Sequence, residues 1–130
     1  MDRSKDLLAD AEDFLGAAVD LLKTGRWSKV CFSSQQAAEL GLKAVLQRLG
    51  VERRGHALTE LLDEVVSHLP EARKFEEHVK LLDQYYIPTR YPNAYSSGPA
   101  KDRYTEKMAV QAVQMASELL TWVKSVVLQR

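Results

Sequence analysis

The residues best suited to chemistry fall in one short stretch, IPTRYPNAYSSGP, Ile87 to Pro99. Arg90 offers a fixed fork of N–H donors that can hold a phosphate through two parallel hydrogen bonds. Tyr91 and Tyr95 add flat faces and hydroxyls, which suit a base or a ribose. Pro88 and Pro92 restrict the backbone on both sides of Arg90 and lower the entropy lost when a ligand is gripped. The same residues also suit a structural task, in which the arginine ties the loop down through carbonyls and the tyrosines cover one end of the molecule.

Elsewhere the candidates are fewer. His56, His68 and His78 lack the paired spacing that would put two ligands on one helix turn, so no metal site is expected. His68 and His78 are expected on solvated helix faces. His56 follows Gly55, where an imidazole can bond to nearby backbone; it is read as structural first and as lining a site second. Glu39 and Lys43 stand at i and i+4 with the acid N-terminal, the favourable orientation for a helix ion pair, and a surface pair is the default reading. Lys43 and His56 are kept beside Arg90, Tyr91 and Tyr95 as ligand-binding candidates. Cys31 is the only cysteine and lies in the apolar run VCF, which predicts an inert buried thiol and excludes an intrachain disulfide.

These residues need elements to position them. Leu7, Leu8, Ala11, Leu15, Ala18, Leu21 and Leu22 recur at steps of three and four and mark a first helix, closed by Gly25. A second runs from about Trp27 to Leu49 and stops at Gly50. Its core stripe is flanked by a line of small residues, including Ser33, Ser34, Ala37, Gly41 and Ala44, so it is expected to be central with neighbours on two sides. A third follows VERRG, Pro70 ends it and is expected to open a fourth, and a last helix starts near Tyr104–Thr105. No segment alternates with period two. The pattern predicts an all-α, antiparallel up-and-down bundle of about five helices in a single domain, residues 1–130. The loop from Ile87 to Arg103 is its anomaly, because structureless connections of that length tend to be functional.

Composition sets the outer limits. The chain has 130 residues, 45% hydrophobic and 28% charged, with Lys+Arg and Asp+Glu both 18. That balance gives no global field to attract nucleic acid or membrane. No apolar run approaches the ~18 residues of a membrane span, and the charged start does not read as a signal peptide. A cytoplasmic protein is expected.

Taken together the chain resembles a HEPN-domain protein (higher eukaryotes and prokaryotes nucleotide-binding). Four blocks in order carry the likeness: DLLADAEDFLGAAVDLLKTGRW; CFSSQQAAELGLKAVLQRLG with its QQAAE; GHALTELLDEV; and IPTRYPNAY with GPAKDRYTEKMAVQAVQMASELL. The resemblance implies a helical bundle that forms dimers and pairs with a minimal nucleotidyltransferase in a two-component, toxin–antitoxin-like module. Catalytic relatives are metal-independent ribonucleases with an Arg-x4-6-His motif. Here the arginine falls on Arg90 and the histidine's slot on Tyr95, so those two are the candidate catalytic residues, and no histidine follows Arg90. Tyrosine is a poor proton acceptor at neutral pH, since its ordinary pKa is ~10 against ~6.5 for histidine. The preferred reading is therefore a dimer that binds a nucleotide or RNA phosphate without a cofactor. A ribonuclease toxin with a degenerate motif and a plain dimerisation scaffold are the alternatives.

Overall fold

The computed structural model describes residues 1–86 and 98–129. It contains α1 (Ser4–Lys23), α2 (Trp27–Arg48), α3 (Leu58–His68), α4 (Glu76–Asp83) and α5 (Glu106–Gln129). Two 3-10 turns, Pro70–Phe75 and Ala100–Arg103, precede α4 and α5, and no strand occurs among the described residues. The all-α bundle read from the sequence is the observed architecture.

The glycines end the first two helices as expected. Gly25 has φ 77°, and its N–H and that of Arg26 bond back to Leu22 and Leu21 carbonyls. Gly50 repeats the arrangement at φ 78°, with Gly50 and Val51 N–H groups reaching Gln47 and Leu46. Both caps need a left-handed residue without a Cβ.

The central place predicted for α2 is borne out, since 14 of its 22 residues are buried. It packs against α1, α3, α4 and α5. A Cβ at Gly41 would stand 2.5 Å from Leu120 Cδ2, so the missing side chain sets how closely α5 approaches. α1 and α2, joined by a tight turn, are antiparallel, and the Arg3 N–H donates to the Gln47 side chain. α4 is antiparallel to α5, as successive contacts show: Trp122 Nε1 donates to Glu71, His78 meets Glu118, and Tyr85 packs edge-on against Tyr104.

Three expectations need correction. Pro70 opens a 3-10 turn, and α4 begins only at Glu76. The stretch from Ile87 to Arg103 is not all loop, because Ala100–Arg103 form a 3-10 turn and Thr105 Oγ1 then caps α5 by accepting from Met108 N–H. His78 is not on a solvated face. Its ring packs edge-on against Phe75 at 5.2 Å and its Nε2 lies 3.1 Å from Glu118 Oε1. That contact holds the Glu118 carboxyl below the usual carboxylate range.

Candidate functional site

α2 projects Gln35, Glu39 and Lys43 at successive i+4 steps, so they lie along one face of the helix. Gln35 is fully buried; it accepts from Gln36 Nε2 and donates to Glu39 Oε1 at 3.4 Å. The Glu39 side chain is only 5% exposed, and its Oε2 receives the Lys43 ammonium at 2.9 Å. The second donor to that oxygen comes from another element, His56 Nδ1, also at 2.9 Å. A buried carboxylate is tolerable when several donors surround it, and Glu39 has three.

The segment before α3 delivers His56. Gly55 takes φ 114°, a conformation that side-chain-bearing residues rarely adopt, and turns the chain towards α2. α3 is then fastened at its start by α4: Asp83 Oδ1 accepts from Leu58 N–H at 2.9 Å, and its Oδ2 from Thr59 N–H and Oγ1. An acid from a different helix thus satisfies the orphan donors of the first turn of α3. The imidazole stacks on Tyr86, with centroids 4.9 Å apart and planes 14° from parallel.

The electrostatics follow from this packing. Because the carboxylate can only accept from this imidazole, Nδ1 carries a proton and donates to Glu39 Oε2. Nε2 has no hydrogen-bond partner among the described residues, and 58% of the side chain is exposed. Lys43 is 21% exposed, and it keeps one edge open to solvent beside the ring. A cleft of about 150 Å³ opens next to Lys43 between Leu7, Leu46, Gln47, Val51, Glu52 and Arg53. The group can therefore meet an anion with an ammonium, and can take or give a proton through an oriented imidazole.

Of the residues singled out in the sequence, Lys43 and His56 are brought together on one carboxylate. Arg90, Tyr91 and Tyr95 lie outside the described residues. The default reading of Glu39 and Lys43 as a surface pair is corrected, because the carboxylate is buried and shared with His56. Backbone bonding for His56 is corrected in the same way. Gln35, Tyr86 and Asp83 were not singled out as site residues; the i+4 ladder Gln35–Glu39–Lys43 was the available signal. The charge of Arg53 is partly compensated, since its guanidinium lies 3.9 Å from both Glu60 and Glu64. A larger cleft of about 410 Å³ near Asp2, Asp6 and Arg48 is lined by charges that pair with neighbours, Arg3 with Asp6 and Arg48 with Asp2.

The HEPN-domain profile matches residues 4–126. The chain belongs to the HEPN-domain family. A HEPN-type crystal structure of an archaeal homologue is 34% identical, with a TM-score of 0.82, over 98% of this chain and 99% of that one. A Thermus thermophilus protein of known crystal structure is 38% identical, with a TM-score of 0.87, over 97% and 99% of the two chains. A Methanocaldococcus jannaschii protein named as a candidate toxin is 26% identical over 93% of this chain and 86% of its own length. Among the described residues no helix is long and apolar enough to cross a membrane.

Proposed function

We propose that this HEPN protein is a homodimeric module that binds the phosphate of a nucleotide or of RNA. The observation that carries the reading is the buried Glu39 carboxylate, which fixes Lys43 and His56 side by side at the surface. Tyr86 stacks on His56, and in the sequence it directly precedes the stretch holding Arg90, Tyr91 and Tyr95. Arg90 would add a bidentate grip on the phosphate, and the tyrosines a face for a base. The likeness to a candidate toxin supports a toxin-like role, and the partner we propose for it is a minimal nucleotidyltransferase.

The test is fluorescence anisotropy with a short labelled single-stranded RNA and with nucleotides as competitors. Arg90→Ala and Lys43→Ala should each weaken binding about tenfold, a loss of ~1.4 kcal/mol, while the helical circular dichroism persists. Unchanged affinity in both variants would remove the reading. For the partner, a nucleotidyltransferase encoded beside this chain should co-purify with it, and failure to co-purify would remove that part alone.

A further inference from the structure

We propose that phosphate binding at this site is proton-coupled: His56 holds the phosphate as an imidazolium, so the site grips its ligand in mild acid and lets go as pH rises. The inference rests on the reading that a phosphate binds beside Lys43, and adds the regulation of that same site.

A neutral imidazole carries one N–H and a protonated imidazole carries two. At His56 the first is committed, because Nδ1 donates to Glu39 Oε2 at 2.9 Å. With one proton only, the ring would meet a phosphoryl oxygen lone pair to lone pair at Nε2. A second proton turns Nε2 into a donor and the same contact into a charge-assisted hydrogen bond. The phosphate therefore prefers the doubly protonated ring. By linkage the preference is reciprocal, so one proton is taken up for each phosphate bound wherever the free ring is neutral. Affinity is highest where the ring is already protonated and falls as pH rises.

The surroundings suit a ring that changes charge. Glu39 cannot swing away, because Gln35 and Lys43 hold its two oxygens and its side chain is buried. The stack on Tyr86 fixes the ring plane, and Nε2 has no partner among the described residues. The charged groups around the ring have both signs. α2 contributes Glu39 and Lys43, and α4 contributes Asp83, whose oxygens are taken by Leu58 and Thr59. Its own segment contributes Glu52 and Arg53, which line the cleft beside Lys43, and Arg54 two positions before the ring. On α3, Glu60 lies 3.9 Å from Arg53. Lysine, arginine and carboxylate side chains ordinarily keep their charge between about pH 5 and 8, the interval in which histidine changes its own. A phosphodiester also keeps its charge there, whereas a terminal phosphate takes up a proton near pH ~6. With a diester as ligand, the proton can come only through the protein.

The experiment titrates the purified full chain into a labelled single-stranded RNA with hydroxyl ends, at constant ionic strength, from about pH 5.5 to 8.5. We expect the wild-type Kd to rise with pH, by up to about tenfold per unit on its steepest part, the limit for one linked proton. His56→Ala should bind at the wild type's alkaline level throughout, with a flat profile. His56→Gln, whose amide N–H donates at every pH, should also give a flat profile. Calorimetry near neutral pH, in two buffers of different ionisation heat, should show proton uptake on binding by the wild type. That measurement needs no variant and stays decisive if either substitution unfolds the chain. A wild-type chain that binds with a flat profile and no proton uptake would overturn the inference and leave the phosphate reading standing. A His56→Ala profile as steep as the wild type's would do the same. Absence of binding at every pH would overturn both.

Discussion

Glu39 is the residue on which the site depends. An ionised side chain removed from water costs several kcal/mol unless donors replace the solvent, and here Gln35, Lys43 and His56 do so. The pairing of Glu39 with Lys43 was legible from spacing alone, because i and i+4 always meet on a helix. Its burial was not, because that depends on a segment arriving seventeen positions later in the chain, beyond the reach of any local pattern. Cys31 shows the opposite case, since its apolar neighbours sufficed to predict a buried thiol, and burial pushes it up to about 12 against a smaller opposing hydrogen bond with Tyr85. The folded state thus holds this proton to higher pH than the unfolded chain does. Its contribution is full below the ordinary thiol range and is lost as pH rises from 9.0 towards about 12. Urea midpoints measured across that window should fall more steeply for the wild type than for Cys31→Ala, and equal slopes would refute the assignment. The native thiol should also resist alkylation until the protein unfolds.

At the scale of elements, four of the five helices were legible within a few residues, because amphipathic periods leave little choice and glycine closes the first two. The 3-10 turn from Pro70 to Phe75 was not, since a proline is equally at home at the start of either helix type. The cap on α3 was also hidden, as Asp83 reaches it from 25 positions away. The small-residue line on α2 was read correctly, and it makes a prediction about packing. A Cβ at Gly41 must displace Leu120 of α5, with Val123 already in contact beside it. Gly41→Val should therefore destabilise the fold by about 1–3 kcal/mol through overpacking. Gly16, in α1, has nothing within 4 Å of the position a Cβ would take, so Gly16→Ala should stabilise by about 0.5–1 kcal/mol through helix propensity. Chemical denaturation of the two variants checks both signs together. A neutral Gly41→Val would mean that α5 is not seated on α2 as described.

For the whole molecule the question is what covers α1 and α5. These helices pack against each other and against α2, yet Val19 on α1 is 38% exposed, and Val110 and Leu128 on α5 are 47% and 48% exposed. Isolated apolar side chains on a surface are ordinary. Here they recur on two adjoining helices of a chain whose core is otherwise well sealed, which is what a second copy would exploit. A twofold interface of standard size would bury about 800 Å² per partner, roughly a tenth of the 7203 Å² this chain exposes. Equal numbers of acidic and basic residues leave no net charge to oppose the association. Light scattering at micromolar concentration should thus give twice the chain mass. Val110→Lys combined with Leu128→Lys should give the single mass with the helical signal and the melting transition retained, because both positions lie outside the core. A wild-type chain that scatters as a monomer would sink the dimer, and a double variant that still scatters as a dimer would move the interface to another face.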